Sequence, residues 1–347
     1  MRLTMLRVLI SEPGSLAVEA VPVPEPGAGE VLVRVVAAGI CGSDLELLDG
    51  QRPARFTRYP VQPGHEWTGV AERLGSGVDG PEPGTPVVAT GIRGCRACDR
   101  CLAGETTLCE TGYSETGFTE PGAFAGYLTV PSHLLHVLPS GPADPQATAL
   151  LEPAACVASA VLSPAARLRP GLRVAVIGTG TLALLAVQVL VAASPHELVI
   201  VGPETGLDHG LQLGATASIA VDADAAGDQI ADVGADLVVE ASADPSAHRW
   251  ALAAARPGGT VLLGGVPAAP APGYSDDLTD IVLRSLTVRG YAGADPAAWR
   301  QVIALYAQGI LNLSAVVSHR LALADAGQAF DLLRQRPPGM RKILLIP

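Results

Sequence analysis

Short apolar runs separated by turn-forming residues fill the first part of the chain. Residues 30–36 and 86–89 are rich in valine, whereas 75–84 is rich in glycine and proline. Runs of this length and composition predict β-strands joined by irregular connections. We therefore expect a β-rich region over about the first 150 residues.

From about residue 155, apolar strands alternate with helical segments. Residues 173–177, 198–201 and 236–240 predict buried strands, and residues 182–193 predict a helix that is apolar on most faces. Strands that alternate with helices are typical of a doubly wound parallel sheet covered on both faces. A closing strand is predicted at 342–346.

A glycine pattern follows the strand at 173–177. Residues 178–183 read G-x-G-x-x-A, in which the first glycine permits a tight turn and the second lets the backbone approach a pyrophosphate. The small sixth residue lets the helix pack closely on the strand, and the helix N-terminus offers free N–H groups to phosphates. The predicted dinucleotide-binding residues are Gly178, Gly180, Thr181, Leu182 and Ala183.

The choice between NAD and NADP is open. An NAD site usually has a carboxylate about 20 residues further on, at the end of the second strand, to bind the ribose hydroxyls. Gly202 occupies that place, which removes the repulsion against a 2′-phosphate, yet no arginine follows to bind one. Glu204 could contact the ribose if the loop is shifted, so the cofactor is written NAD(P).

Four cysteines form a tight cluster with the spacing C-x2-C-x2-C-x7-C. Four thiolates on one loop can surround Zn²⁺ tetrahedrally and leave no open position, which is the arrangement of a structural site. An iron–sulfur cluster is the main alternative, and zinc is favoured. The predicted ligands are Cys95, Cys98, Cys101 and Cys109.

Composition narrows the possible partners and location. The chain has 347 residues and a formal net charge of −11, which argues against nucleic acid and against an anionic membrane surface. The uncharged stretch 174–194 is long enough to span a bilayer, but its glycine turn favours a buried strand, turn and helix. The N-terminus has no clear signal peptide, so we expect a cytoplasmic protein with reduced cysteines.

Three further residues carry donor atoms outside the cysteine cluster. Cys41 precedes Gly-Ser-Asp, His65 lies between Gly and Glu, and Glu152 precedes Pro. Each alone is consistent with a structural role, as a buried thiol, a core histidine or a carboxylate at a helix start. Their combination with a four-cysteine lobe and a nucleotide turn favours a shared catalytic site.

Together these motifs resemble the zinc-dependent medium-chain dehydrogenase/reductase superfamily, over essentially the full length and in the same order. The Cys-Gly-Ser-Asp, Gly-His-Glu and Glu-Pro motifs are most similar to its polyol and threonine dehydrogenase branches. The run 59–67 is also similar to aminocyclitol dehydrogenases.

The resemblance implies an α/β protein made of two domains, with the active site in the cleft between them. A GroES-like β-rich catalytic domain is expected at 1–154 together with 291–347, including a structural zinc lobe at about 91–112. A Rossmann domain with a doubly wound parallel sheet is expected at 155–290 and would bind the cofactor.

The resemblance also assigns roles to matching residues. Cys41 and His65 match the two constant ligands of a catalytic zinc ion. Glu152 falls where relatives have Cys, Asp or Glu, and Glu66 matches a carboxylate that lies near the metal or exchanges as a ligand. Which of the two glutamates binds zinc directly is open. Asp44 matches the residue that fixes the histidine ring by a hydrogen bond.

Ser43 matches the hydroxyl that takes the substrate proton. Zinc favours loss of that proton, after which a hydride passes to the nicotinamide. Many relatives have a histidine three residues after this serine to end the proton relay, but here the residue is Glu46. A carboxylate can continue the relay or be an exposed residue without a role. Cys156 is interpreted as a small core residue, with an alternate zinc ligand as the second option.

The expected reaction is hydride transfer between a secondary alcohol of the polyol, sugar or cyclitol type and NAD(P). Simple aliphatic or aromatic alcohols and threonine are the alternative substrates. A non-catalytic nucleotide-binding or redox-sensing relative is the alternative outside enzymes. The expected partners are a small alcohol or ketone and further copies of the chain, as a homodimer or homotetramer, and neither nucleic acid nor a membrane.

Overall fold

The chain folds into two compact units. Met1–Glu152 and Leu313–Pro347 form the first unit, and Pro153–Asn312 form the second. The structure is a computed structural model, and it describes residues 3–139, 144–221, 227–242, 244–265 and 274–347.

The first unit begins with nine strands and two helices. The strands are β1 (Thr4–Glu12), β2 (Ser15–Pro22), β3 (Glu30–Ile40), β4 (Glu66–Leu74), β5 (Pro86–Ala89), β6 (Ile92–Arg93), β7 (Ser114–Glu115), β8 (Tyr127–Pro131) and β9 (Leu135–Val137). The helices are α1 (Gly42–Leu48), directly after β3, and α2 (Asp99–Leu102), in the cysteine lobe.

The second unit alternates strands with helices. Its strands are β10 (Arg173–Ile177), β11 (Glu197–Gly202), β12 (Ala217–Ala220), β13 (Ala235–Glu240), β14 (Ala255–Leu263) and β15 (Thr287–Gly290). Its helices are α3 (Leu151–Leu162, which begins at the unit boundary), α4 (Thr181–Val191), α5 (Glu204–Gln212), α6 (Gly227–Ala231), α7 (Ala247–Ala254), α8 (Tyr274–Leu283) and α9 (Pro296–Ala307). The chain then returns to the first unit with β16 (Val317–Ala322), α10 (Ala326–Gln335) and β17 (Lys342–Ile346).

The sheet of the second unit is parallel throughout. Its order is β12-β11-β10-β13-β14-β15, so the chain reverses its direction of travel across the sheet between β10 and β13. The strand residues Val174–Ile177 are buried on both faces, as the continuous apolar pattern predicts. The prediction of a doubly wound parallel sheet is confirmed, and a ligand in such a sheet binds where the strand order reverses.

The main sheet of the first unit combines strands from both chain segments that form this unit. Its order is β16-β17-β3-β4-β5-β9, and β8 also pairs with β3. The closing strand β17 lies antiparallel to the end of β3, with Leu344 opposite Gly39. The sheet buries an apolar core that includes Trp67, Phe124 and Phe330. Strand β17 therefore lies beside the end of β3, directly before Cys41.

The boundaries of the two units differ from the expected domain boundaries at both junctions. The first boundary falls after Glu152, two residues before the expected one. The segment 291–312, which the sequence analysis assigned to the first domain, packs in the second unit. The main-chain N–H of Asn312 donates to Gln188 of α4 at 2.6 Å, and Trp299 of α9 is buried. This helix therefore completes the second unit before the chain returns.

Within the described part of the chain, none of the helices is both long and apolar enough to cross a bilayer.

Candidate active site

The ends of two paired strands bring together the donor atoms of the predicted catalytic site. β3 ends at Ile40, directly before Cys41, and β4 begins at Glu66, directly after His65. The strands are antiparallel with Gly39 opposite Glu66, so the end of one lies beside the start of the other. A Cβ at Gly39 would lie 2.3 Å from a Glu66 carboxylate oxygen, so only glycine leaves room for this carboxylate.

Cys41, His65 and Glu66 form a compact cluster. One donor atom from each residue lies within 4.8 Å of the other two. His65 is 7% exposed and Glu66 is 2% exposed. A thiol, an imidazole and a carboxylate are donors that zinc accepts, and three protein donors leave a fourth position for a substrate oxygen. These residues fit a catalytic zinc ion.

Asp44 connects two members of this cluster. Its fully buried carboxylate accepts a hydrogen bond from the main-chain N–H of Cys41 at 2.9 Å. Its second oxygen lies 3.5 Å from Nδ1 of His65, which leaves the other ring nitrogen available to a metal. Burial lowers the pKa of His65, but Asp44 and Cys41 together raise it well above its ordinary value. A carboxylate in this place orients the ring and increases its basicity as a ligand.

Lys342 is a charged neighbour that the sequence analysis did not assign to the site. Its Nζ lies 2.8 Å and 2.5 Å from the two carboxylate oxygens of Glu66 and donates to the carbonyl of Ile40 at 3.1 Å. Burial lowers the pKa of Lys342, but the carboxylate of Glu66 outweighs this and raises it. The sequence did mark this residue as unusual, because Lys342 is the single lysine of the chain and begins an otherwise apolar strand.

Ser43 and Glu46 lie on α1, which begins directly after Cys41. They are three residues apart, so their side chains lie on the same face of the helix. Glu46 is half-buried, and burial raises its pKa, while Arg52 lowers it and Asp44 raises it further. A hydroxyl beside the metal cluster and a partly buried carboxylate one turn along the helix can accept and pass on a proton.

Glu152 and Cys156 lie on α3. Among the described residues, the cluster of potential metal ligands around Cys41 and His65 includes Glu66 and does not include Glu152. Glu152 is in the first turn of α3, and both residues are half-buried. Of the four residues expected at the catalytic metal, the structure therefore brings three together.

An aromatic ring packs against His65, and a half-buried ion pair lies beside that ring. The Phe118 ring packs on the His65 ring with centroids 4.8 Å apart, and the Arg52 guanidinium lies 3.6 Å from the centroid of Phe118. Arg52 also pairs with Glu115 at 2.7 Å. Burial raises the pKa of Glu115, and Arg52 partly opposes this. No sequence motif marked these residues, because they approach His65 only in the folded chain.

The four predicted lobe cysteines also meet. One sulfur from each of Cys95, Cys98, Cys101 and Cys109 lies within 4.8 Å of the other three. The main-chain N–H groups of Ala97 and Cys98 donate to the sulfur of Cys95 and lower its pKa to about 6. Four sulfurs at these distances, with one stabilised as a thiolate, fit a tetrahedral structural zinc ion.

The glycine turn has the geometry that a dinucleotide needs. Gly178 follows β10 with a positive φ of 115°, and Gly180 is the N-cap of α4. Thr181, Leu182 and Ala183 form the first turn of this helix, and their N–H groups have no partner inside it. Such a helix N-terminus at the carboxyl edge of a parallel sheet binds a pyrophosphate.

The structure supplies a packing reason for the missing carboxylate at position 202. Gly202 ends β11, and a Cβ there would lie 2.8 Å from a methyl carbon of Thr179. A side chain such as aspartate would therefore have to displace the side chain of Thr179 in the fingerprint turn. The next carboxylate, Glu204, is exposed in the first turn of α5 at the same edge of the sheet.

Glu240 is a second charged residue that sequence reasoning missed. It ends β13 and is fully buried, and its carboxylate accepts main-chain N–H groups from Ser242 at 2.6 Å and from Gly265 at 2.8 Å. The Tyr291 hydroxyl donates to its carbonyl at 3.0 Å. Glu240 therefore ties together the segments that follow β13 and β14, beside the fingerprint turn. A charged residue that ends an apolar strand was the available signal.

Comparisons with known proteins agree with this arrangement. Residues 27–140 match the alcohol dehydrogenase GroES-like domain, and residues 181–308 match the zinc-binding dehydrogenase family. The chain is 32% identical to L-threonine 3-dehydrogenase of Bacillus licheniformis, over 99% of each chain.

Two solved structures match over nearly the whole chain. A zinc-binding dehydrogenase of Sinorhizobium meliloti bound to NADP has a TM-score of 0.87 and 30% identity, and covers 100% of both chains. Galactitol-1-phosphate dehydrogenase of Escherichia coli has a TM-score of 0.88 and 26% identity, over 99% of this chain and 100% of the other.

The chain belongs to the zinc-binding dehydrogenase family, within the medium-chain dehydrogenase/reductase superfamily. It is an enzyme, a zinc-dependent oxidoreductase that acts on an alcohol. The predicted family, the fold of a GroES-like domain with a Rossmann domain, and the predicted zinc and NAD(P) cofactors are confirmed.

Proposed function

We propose that the protein transfers a hydride between NAD(P) and a secondary alcohol of the polyol, sugar or cyclitol type. The observation that carries this proposal is the cluster of half-buried Cys41 with buried His65 and Glu66, directly before α1. A zinc ion held by these residues would supply a Lewis acid that favours loss of the alcohol proton.

The chain's own residues would orient the ligands and move the proton. Ser43 accepts the proton of the substrate hydroxyl, and Glu46 passes it towards solvent. Asp44 holds the ring of His65 and the main chain of Cys41 in place. These assignments rest on the positions of the residues around one cluster.

The second unit would bind the dinucleotide. The N–H groups of Thr181, Leu182 and Ala183 bind the pyrophosphate, and Gly178 and Gly180 let it approach the main chain. Glu204 contacts the ribose in place of a residue at position 202. Because no arginine follows β11 within α5, we infer that NAD is preferred over NADP.

The two units would divide the work as the family resemblance implies. The first unit is the catalytic domain, with structural zinc on Cys95, Cys98, Cys101 and Cys109, and the second is the cofactor domain. We infer a homodimer or homotetramer, because β15 is an edge strand and α8 exposes Leu278, Val282 and Leu283. The six free cysteines support a reducing cytoplasmic location.

Threonine is the second candidate substrate. Its support is the 32% identity to L-threonine 3-dehydrogenase over 99% of both chains. Threonine also carries a secondary hydroxyl, so the same metal cluster and proton path would serve it.

The test is a panel of initial rates with measured metal content. Polyols, cyclitols, amino sugars, threonine and simple alcohols are each tried with NAD⁺ and with NADP⁺, with and without a chelator. The expected result is two zinc ions per chain and chelator-sensitive turnover of a polyol or cyclitol with NAD⁺. Turnover of threonine alone would move the protein to the second candidate. Turnover that a chelator leaves intact after the zinc is removed would contradict the proposal.

A further inference from the structure

We propose that Glu240 is a positioning residue for the cofactor and holds two segments of the second unit in the arrangement that receives the nicotinamide half of NAD(P). The segments are the first two residues after β13, Ala241 and Ser242, and the first two after β14, Gly264 and Gly265. This proposal rests on the proposed function, in which the second unit is the cofactor domain. All five residues lie within that unit.

The strand order places Glu240 at the second half of the nucleotide crevice. In the order β12-β11-β10-β13-β14-β15, the fingerprint turn follows β10, and the direction of travel reverses between β10 and β13. A sheet of this order binds one nucleotide over each half, and the half that begins with the fingerprint turn takes the adenosine. The carboxyl ends of β13, β14 and β15 therefore serve the nicotinamide nucleotide, and Glu240 is the last residue of β13.

The two oxygens of the Glu240 carboxylate accept hydrogen bonds from different segments. Oε1 accepts from the main-chain N–H of Ser242 at 2.6 Å, and Oε2 accepts from those of Gly264 at 3.2 Å and Gly265 at 2.8 Å. Because the side chain is fully buried, these N–H groups satisfy the carboxylate in place of water. Holding both segments in this way requires two acceptor oxygens on one side chain.

The two segments pack directly on each other and on the fingerprint turn. A Cβ at Gly265 would overlap the carbonyl oxygen of Ser242, so only glycine permits this approach. A Cβ at Gly178 would lie 3.1 Å from the carbonyl oxygen of Ala241, whose own N–H donates to the carbonyl of Ile177 at 2.9 Å. The segments that Glu240 holds therefore form one continuous edge with the turn that binds the pyrophosphate.

Two further side chains support this arrangement. Nε2 of His248 lies 3.1 Å from the carbonyl oxygen of Gly265 and 3.7 Å from the Glu240 carboxylate. The Tyr291 hydroxyl donates to the main-chain carbonyl of Glu240 at 3.0 Å, and its ring fills the space that a Cβ at Gly264 would need. The Glu240 side chain is therefore held from several directions and cannot turn away without breaking these contacts.

The experiment uses the full-length zinc-loaded protein and measures the binding of NAD⁺ and of ADP by calorimetry. ADP has the adenosine and both phosphates of the cofactor but lacks the nicotinamide and its ribose. The variant Glu240→Gln replaces one acceptor oxygen by a donor. Asp236→Asn is the matched control, because this carboxylate near the start of β13 also links neighbouring strands, through the N–H of Arg173 at 2.9 Å and the side chain of Arg256 at 2.6 Å.

We expect Glu240→Gln to weaken NAD⁺ binding by roughly tenfold, because one charge-assisted hydrogen bond is worth about this factor. Binding of ADP should stay close to wild type, since the fingerprint turn keeps the bond from the N–H of Gly178 to the carbonyl of Val201. Asp236→Asn should lower the unfolding temperature and leave both affinities close to wild type, because Asp236 lies at the opposite edge of the sheet.

His248→Leu is a second, milder variant that keeps the test decisive if Glu240→Gln does not fold. It removes the ring nitrogen beside Gly265, while the Glu240 carboxylate keeps its main-chain partners. We expect a smaller loss of NAD⁺ affinity, again with ADP binding close to wild type. Zinc content and unfolding temperature are measured for every variant, so that a general loss of structure is recognised.

Two results would overturn the proposal. One is an equal loss of NAD⁺ and ADP affinity in Glu240→Gln or His248→Leu, which would show that these residues only support the fold. The other is wild-type affinity for NAD⁺ in both variants. Turnover of an alcohol by wild type together with either result would keep the proposed function, whereas binding of neither ligand by wild type would overturn both.

Discussion

Among its described residues, the first unit contains two clusters of potential metal ligands that are built in opposite ways. The lobe places four thiols on one loop, and its Cys95 is exposed. The other cluster takes one thiol, one imidazole and one carboxylate from the ends of two paired strands, where His65 and Glu66 are almost fully buried. A closed set of like donors suits a structural ion, whereas a mixed, buried set with an open position suits a catalytic one.

The surroundings of the clusters differ as much as their donors. In the lobe, main-chain N–H groups of the loop itself donate hydrogen bonds to the sulfur of Cys95 and stabilise its thiolate form. At the other cluster, Asp44 and Lys342 are charged side chains from α1 and β17. A buried site needs charged partners of its own, because water does not reach it. Substitutions in each cluster should therefore have different consequences.

The largest expected effect is on catalysis. His65→Ala should lower kcat/KM by roughly 10³-fold or more, because Lewis-acid stabilisation is worth several kcal/mol. The variant should retain one zinc ion per chain, in the lobe. Metal analysis and steady-state kinetics check this. A variant that keeps both zinc ions and wild-type turnover would show that His65 is not a ligand.

Cys98→Ser should act on stability first. Loss of a structural metal belongs to the class of changes that cost more than about 4 kcal/mol. We expect one zinc ion to remain and the unfolding temperature to fall, with the lobe cut by protease before the rest of the unit. If zinc content and protease resistance stay at wild-type levels, the lobe does not hold a metal.

Lys342→Met should destabilise the zinc-free protein by about 3–5 kcal/mol, because without zinc it leaves the buried carboxylate of Glu66 without its partner. Lys342→Arg keeps the charge and should recover part of the loss. Denaturant unfolding of both variants measures this difference. Equal stability of the methionine variant and wild type would mean that Glu66 takes up a proton or another partner at little cost.

Asp44→Asn tests orientation of the histidine ring without removing a donor atom. Loss of such a supporting carboxylate typically costs 10–100-fold in metal affinity, so we expect weakening by roughly this factor. Competition with a chromophoric chelator gives the affinity. Arg320→Gln is the matched control, because Arg320 pairs with Asp144 at the surface, belongs to neither cluster and should change zinc affinity little.

The smallest effect concerns Glu46 and pH. Burial raises its pKa, so its protonated form is favoured in the folded protein. Stability from this group is present below the ordinary glutamate pKa and is lost as pH rises through the higher folded value. Glu46→Gln should remove this loss, by at most about 1 kcal/mol for a half-exposed group. Unfolding temperatures across the acid range give the slope, and an unchanged slope would contradict the raised pKa.

Local patterns in the sequence determined most of the fold. The glycine fingerprint, the four-cysteine spacing and the apolar strands depend on residues close together in the chain, and their turns, loops and buried strands follow from that proximity. The closing strand at 342–346 was predicted with the bounds it has in the structure. For the same reason, the four lobe cysteines could be chosen from spacing alone.

Only the tertiary structure decided what surrounds the catalytic cluster. Lys342 lies 276 positions from Glu66 in the chain, and no local pattern could connect them before β17 paired with β3. Arg52, Phe118 and Glu115 likewise meet behind His65 only after folding. Sequence motifs identify donors because ligand chemistry restricts residue type. The partners that balance buried charge are set by strand pairing and packing, which join residues distant in the chain.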